Sequence, residues 1–395
     1  MNLLDDARAL QSDLVRLRRT LHSAPETGLE LPRTQETVLS ELDGLGLELS
    51  TGKSVSSVTG VLRGARPGPT VLLRGDMDAL HVAERTGLDF AADNGKMHAC
   101  GHDLHTTMLT GAARLLASHR EQLAGDVVFM FQPGEEGYDG ARHMVDEGVL
   151  DASGTRASHA YAIHVMSAGF ETGRFSTRGG TALAASNILT VTVRGAGGHG
   201  SMPHRAKDPV PAACEMVTAL QAWISRSFDV FDPVILTVGL FQAGTQTNVI
   251  PDTATFKATV RSFSPTAQAL VKDGTVQVCR GIAAAHGLEV DARFDELYPV
   301  TVNDAAEAEF AAHTVAELHG EERYAPMDKP LAGAEDFSRV VAEVPGAMLV
   351  LGATPRGADP ATAPNNHSPL AAFDESVLAD GAALYAELAA RRLAD

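Results

Sequence analysis

The sequence predicts an α/β fold: a central, mainly parallel sheet with helices on both faces, interrupted by an inserted ferredoxin-like α+β domain. Three observations point there. Several short, continuous apolar runs lie between helical stretches and end at polar clusters, the pattern of strands buried on both faces. Residues 184–296 change texture, with apolar and polar residues alternating as in a sheet that has one wet face. At 395 residues the chain also exceeds one comfortable core, so two domains are expected: 1–183 with 297–395, and 184–296.

Taken in order, Thr70-Val71-Leu72-Leu73-Arg74-Gly75 leads into Asp76-Met77-Asp78. Asp126-Val127-Val128-Phe129-Met130-Phe131 leads into Gln132-Pro133-Gly134-Glu135-Glu136. Tyr161-Ala162-Ile163 leads into His164, and Ala347-Met348-Leu349-Val350-Leu351-Gly352 precedes a loop holding Asn366-His367. Open α/β sheets bind ligands just beyond the carboxyl ends of their strands, so these four clusters are expected in one cleft. Asp103 suits the N-cap of a helix in which Leu104, Met108, Leu109, Ala112, Leu115 and Leu116 recur at helical spacing. Cys100 and His102 would then precede the helix start, whose positive end favours a thiolate. In the insert, Leu189-Val191-Val193, Ala254-Phe256-Ala258-Val260 and Leu288-Val290-Ala292-Phe294 alternate with mostly polar neighbours, and Val234–Leu240 adds a fourth strand. Helices near 209–228 and 265–286 complete a β-α-β-β-α-β order. The chain returns to the first domain through Tyr298-Pro299, and we find no internal repeat.

Composition narrows the function. A net charge of −18, with no run of five or more Lys/Arg, argues against nucleic acid. No apolar stretch approaches the ~18 residues of a membrane span, and the polar, acidic start Met1-Asn2-Leu3-Leu4-Asp5-Asp6 is unlike a secretory signal. The cytoplasm is the expected location. Three cysteines make no disulfide framework. Cys214 and Cys279 are expected as small buried hydrophobes, whereas Cys100 sits among glycine and histidines, where a thiolate has a use.

The chemistry concentrates in His98-Ala99-Cys100-Gly101-His102 and Glu135-Glu136. A short turn can aim Cys100 and His102 at one ion, and a thiolate beside an imidazole suits zinc or another first-row transition metal better than calcium or magnesium. Two adjacent carboxylates repel each other unless something positive sits there. With a metal as that centre, one acid can bind it while the other moves protons, as metal-assisted hydrolysis needs. Singly these signals have ordinary explanations: paired acids on a solvated surface, aspartates capping helices, structural histidines. Their weight comes from meeting at strand ends.

Three of these stretches, Arg74-Gly75-Asp76-Met77-Asp78-Ala79-Leu80, Met97-His98-Ala99-Cys100-Gly101-His102-Asp103-Leu104-His105 and Phe131-Gln132-Pro133-Gly134-Glu135-Glu136, resemble the hippurate hydrolase branch of the aminoacylase and carboxypeptidase G family. Those are di-metal amidohydrolases, and the branch includes plant hydrolases of indole-acetyl-amino acid conjugates. The likeness continues through Leu21-His22-Ser23-Ala24-Pro25-Glu26, Gly197-Gly198-His199-Gly200-Ser201-Met202-Pro203-His204, Asn248-Val249-Ile250-Pro251, Gly333-Ala334-Glu335-Asp336-Phe337 and Asn366-His367-Ser368-Pro369, nearly the whole chain. The resemblance implies metal ligands at Cys100, His102, Glu136, His164 and His367, with Glu135 as general base and Asp78 orienting a ligand imidazole. It implies two divalent ions per subunit (Zn2+ or Mn2+, with Co2+ or Ni2+ as alternatives). It further implies that 184–296 is a lid and dimerisation domain of a homodimer. There His199 enters the partner's active site to help hold the oxyanion, and Asn248 helps bind substrate. His98 and Asp103 either support the site or pack and cap, while His22 and Glu26 match residues of structural role. His81 stands where the family usually has proline, which bears on substrate preference. The expected reaction is hydrolysis of a small N-acyl-amino acid. Its alternatives are a dipeptidase or carboxypeptidase at the same site, and an inactive metal- or partner-binding homologue.

Overall fold

A computed structural model describes residues 1–394. The chain forms two compact units, one of residues 1–182, 302–329 and 336–395, the other of 183–301 and 330–335. The second unit thus includes a segment beyond the expected insertion. Leu331 pairs with Leu183, and Ala184 N donates to Leu331 O and Gly333 O at 3.1 and 2.9 Å.

In chain order the first unit opens with helices α1 (Leu3–Ala9), α2 (Gln11–His22) and α3 (Pro32–Leu42) and strands β1 (Glu48–Thr51), β2 (Val58–Arg63) and β3 (Arg66–Asp76). Helix α4 (His102–Ser118), β4 (Ala124–Gln132), α5 (Gly140–Asp146), β5 (His159–Met166) and β6 (Phe175–Ser176) follow. The second unit contains β7 (Ala185–Arg194), α6 (Pro209–Ser227), β8 (Val234–Ala243), β9 (Thr253–Ser262), α7 (Pro265–Ala285) and β10 (Glu289–Tyr298). The first unit resumes with α8 (Ala305–His319), the short α9 (Ser338–Val341), β11 (Gly346–Gly352) and α10 (Leu378–Arg392).

The seven strands of the first sheet run in the order β1-β2-β4-β3-β5-β11-β6. The middle four are parallel and the outer ones antiparallel. The parallel strands are buried on both faces: Val71, Leu72 and Leu73 and Val127 to Phe131 are all 0% exposed. Helix α4 lies close to β3, where a Cβ on Gly75 would sit 3.0 Å from His105 O. Helix α10 packs on α4 through Gly381, whose absent side chain makes room for Met108. From α10, Tyr385 Oη donates to Arg74 O and accepts from Ile163 N, both at 2.7 Å, tying β3 to β5.

The second unit has a four-stranded antiparallel sheet ordered β8-β9-β7-β10, the ferredoxin-like arrangement that its element order implies. Leu189, Val191, Val193, Ala254, Phe256, Ala258 and Val260 form its core with α6 and α7.

Three local expectations are corrected. Helix α4 starts at His102, after Gly101 in the left-handed region (φ 85°), so Asp103 is inside the first turn and is no cap. Its carboxylate instead pairs with Arg18 Nε at 2.7 Å and His22 Nδ1 at 2.8 Å. His164 lies within β5, not after it. Cys214 is exposed on α6, while Cys279 is buried as expected. Among the described residues, no helix is long and apolar enough to cross a membrane.

Candidate metal centre

Because β4, β3, β5 and β11 are parallel, their carboxyl ends lie along one edge, and each delivers polar side chains there. Cys100 Sγ sits 3.4 Å from His164 Nε2 and 3.3 Å from His367 Nε2. His367 Nε2 is in turn 3.1 Å from Glu136 Oε1, and His102 Nε2 is 3.9 Å from the same oxygen. Cys100, His102 and His164 have ligand atoms within 4.8 Å of one another, as do Cys100, Glu136 and His367, and also His102, Glu135 and Glu136. These overlapping triples make one cluster of six residues. His102 is 1% exposed, whereas the His367 side chain is 55% exposed and marks the open side.

Neighbouring groups aim each of these side chains. The Asp78 carboxylate accepts Glu135 N at 2.9 Å and Glu136 N at 3.0 Å, and lies 3.5 Å from His102 Nδ1. His164 Nδ1 donates to Val165 O at 2.8 Å, which turns Nε2 toward Cys100. Val165 N donates to His105 Nε2, so His105 carries its proton on Nδ1 and donates it to Asp76 at 2.6 Å. Asn366 Nδ2 reaches Cys100 O and Val165 O at 3.2 and 3.0 Å, while its Oδ1 accepts from Ser167 N at 2.8 Å. His367 has φ 72°, a strained conformation for a non-glycine residue, held by His367 N donating to Ala99 O at 2.8 Å.

The cluster is strongly polarised. Burial alone would raise the Cys100 thiol, but the His164 imidazole and hydrogen bonds from His102, His164 and His367 hold it well below the ordinary range. Burial disfavours the charged form of His102, yet Asp76, Asp78 and Cys100 together raise it well above an ordinary imidazole. His367 is raised to about 10 by hydrogen bonds to Cys100 and Glu136. Glu136 is raised by burial and by the Cys100 charge, against the pull of His367 and His102. A thiolate, a carboxylate and imidazoles that hold protons this firmly form a set from which a divalent cation would displace protons on binding.

The donors fit such an ion. Among the described residues, His102 Nε2 is buried without a well-directed hydrogen bond, and so is Glu136 Oε1 apart from its close ion-pair contact with His367. Each buried orphan costs roughly 1–3 kcal/mol, which a cation between them removes. Thiolate, imidazole and carboxylate together are a donor set for zinc and other first-row metals.

Of the expected site residues, Cys100, His102, Glu135, Glu136, His164, His367 and Asp78 come together here. His199 and Asn248 come together elsewhere, in the second unit. Gly198–His199 pairs as a short strand with Val249–Ile250, and Gly200 N donates to Asn248 O at 2.8 Å, so the glycine stretch is not a free loop. His199 is exposed, with Nδ1 accepting from Ser201 Oγ at 2.8 Å. His81 is exposed and its Nε2 meets Thr27 Oγ1 at 3.1 Å. His22 links Asp103 and Glu84, and Glu26 accepts from Thr34 N at 2.9 Å at the start of α3. His98 is buried, its ring nitrogens make no hydrogen bond among the described residues, and burial pushes it down to about 3. Sequence reasoning assigned no role to Asp76, His105 or Asn366. Only the three-residue spacing of His102 and His105, which puts both on one face of α4, could have flagged the second histidine.

Comparison with known proteins places this geometry. The model of peptidase family M20/M25/M40 matches residues 72–391. An IAA-amino acid hydrolase (ILR1-like 4) of Arabidopsis thaliana is 37% identical over 96% of this chain and 86% of its own. Thermostable carboxypeptidase 1 of Saccharolobus solfataricus is 34% identical over 98% of both chains. The crystal structure of the YxeP protein of Bacillus subtilis, a dinuclear metal-binding peptidase, superposes with a TM-score of 0.83 at 29% identity, covering 98% of this chain and 99% of that one. With a converging Cys/His/Glu donor set on an α/β sheet edge and a family match over most of its length, the chain belongs to peptidase family M20/M25/M40, a family of metal-dependent amidohydrolases and peptidases.

Proposed function

We propose that this protein hydrolyses the amide bond of N-acyl-L-amino acids, releasing a carboxylic acid and a free amino acid. The observation that carries the reading is the position of Glu135. Its carboxylate is buried, within 4.8 Å of ligand atoms of His102 and Glu136, and its backbone is anchored by Asp78. Two divalent ions held by Cys100, His102, Glu136, His164 and His367 would polarise the scissile carbonyl and lower the pKa of a water from ~16 toward ~7. Glu135 takes the proton of the attacking water and delivers it to the leaving nitrogen, since an amide anion is far too basic to depart. Asp78 and Asp76, through His105 and Val165, keep the ligand imidazoles oriented. Zinc suits the thiolate best, with manganese, cobalt and nickel as alternatives. A site built on a free thiolate suits a reducing compartment, the cytoplasm.

His199 serves as oxyanion donor from the partner subunit of a dimer joined through 184–296, and Asn248, next to the small pairing of 198–199 with 249–250, helps bind substrate. Mixing inactive His199→Ala with inactive Glu135→Gln under subunit exchange then restores activity; no recovery despite proven exchange would place His199 outside the partner's site.

The carboxypeptidase named among the relatives keeps a second reading open: that reaction also releases an amino acid with a free carboxylate. A panel of N-acetyl-, N-benzoyl- and indole-acetyl-amino acids plus dipeptides, run on apoprotein refilled in turn with zinc, manganese, cobalt and nickel, separates the two. On the preferred substrate, Glu135→Gln keeps its metal and loses at least ~100-fold in turnover, whereas Glu136→Gln loses metal. Near-normal turnover of the Glu135 variant would refute the assignment.

A further inference from the structure

The loop carrying Glu135 and Glu136, residues 133–140, contains three left-handed backbone positions: Gly134 (φ 72°), Gly137 (91°) and Asp139 (55°). Glycine adopts that region freely, aspartate at some cost, so the loop has several accessible shapes and needs outside contacts to select one. Segment 336–339 supplies them. Asp336 is 0% exposed, and its two oxygens accept from Gln132 Nε2, just before the loop, at 2.8 Å each. One of them also accepts from Ala141 N, just after the loop, at 2.9 Å. A single carboxylate thereby bridges both ends of the loop. Arg339 donates to both oxygens of the strained Asp139, at 3.1 and 2.8 Å.

Behind this clamp Arg74, 2% exposed, donates to Asp336 at 2.9 Å, to Asp76 at 2.6 Å and to Gln132 at 2.8 Å. A carboxylate oxygen of Asp336 lies within 4.8 Å of one of Glu135. Buried ion networks of this kind are weak evidence for stability, because desolvation offsets much of the attraction.

We propose that Asp336 and Arg339 are positioning residues for the general base: they close loop 133–140 into the one shape that sets Glu135 beside the donor cluster. The inference rests on the assignment of Glu135 above, and its test separates the two. In the full-length protein, Asp336→Asn and, as a half-buried variant that leaves the Arg74–Asp336–Gln132 network intact, Arg339→Met are compared with wild type by amide hydrogen exchange of the metal-free form and by steady-state kinetics of the metal-loaded form. Exchange across 133–141 rises on the order of 10-fold, as expected for loss of a charge-assisted hydrogen bond; in Arg339→Met β3 and β5 keep wild-type protection, and in Asp336→Asn, which also takes a partner from Arg74 of β3, the rise at 133–141 exceeds that in β3 and β5. Turnover falls on the order of 10–100-fold, the scale of a small misplacement of a reacting group, with KM little changed, and Arg339→Lys, which keeps the charge but not the fork, falls between wild type and Arg339→Met. Unchanged exchange over 133–141 in both variants overturns the proposal. So does exchange that rises equally in β3 and β5, which is general loosening, or a kinetic defect confined to KM. If the wild type proves to have no amidase activity, the exchange experiment still decides the clamp, and only the assignment of Glu135 fails.

Discussion

Asp78→Asn is the sharpest probe of how the backbone supports the metal centre. The Asp78 carboxylate is 1% exposed and both of its oxygens are used: Oδ1 by Glu135 N at 2.9 Å, Oδ2 by Glu136 N at 3.0 Å. An asparagine amide keeps one oxygen, so in either orientation its NH2 group faces a backbone N–H. A charge-assisted hydrogen bond is replaced by a buried donor–donor contact, a cost of about 2 kcal/mol or more. The glycine-containing loop can relieve part of that by shifting, and Glu136 shifts with it; the nearby Oδ1, 3.5 Å from His102 Nδ1, also loses its charge. About 2 kcal/mol corresponds to roughly 30-fold in affinity, within the 10–100-fold span typical of losing an outer-shell partner. Titrating the metal-free protein with zinc against a chromophoric chelator measures it directly. An affinity within about 3-fold of wild type, far short of that span, would refute the argument that Asp78 holds the site together.

Gly101→Ala places a Cβ at φ 85° only 2.4 Å from Val165 Cγ2, so urea denaturation should show a loss of about 2–4 kcal/mol; undiminished stability would contradict the left-handed turn between Cys100 and His102. In a Cys214→Ser background, which removes an exposed thiol, Cys100 should alkylate faster in metal-free than in metal-loaded protein, and equal rates would remove it from the donor set. His319, stacked on Phe175, is lowered from 6.5 to about 4, chiefly by burial against the opposing pull of Asp380. Above pH 6.5 it is neutral in both states; as pH falls from 6.5 to 4 the unfolded chain takes up the proton and the folded one does not, so about 3 kcal/mol of stability is lost. Metal-free His319→Gln should show a flatter decline over that window, and identical slopes would exonerate the histidine.

What the sequence determined by itself is periodic or local. The apolar runs before Asp76, Glu135 and Asn366 marked strands that lead to the site, because a strand buried on both faces is a near-continuous apolar run. The alternation of Leu189, Val191 and Val193 marked the inserted sheet, since period 2 can bury only one face. Cys100, His102 and the Glu135-Glu136 pair carried the metal chemistry in their own residue types. Asp103 shows where that reading stopped: a cap by local rules, it is an ion-pair partner of Arg18 and His22, which α2 brings from about eighty residues away. The same holds for Asp76 with His105, for Asn366 with Cys100, and for Asp336 with Gln132, 204 residues apart. Nor could spacing reveal that His164 projects from within a strand, or that His367 needs a left-handed backbone to face Cys100. Periodicity encodes which face of an element is apolar, whereas the pairing of buried polar groups depends on which strands become neighbours, and that was settled only when β4, β3, β5 and β11 came to lie side by side.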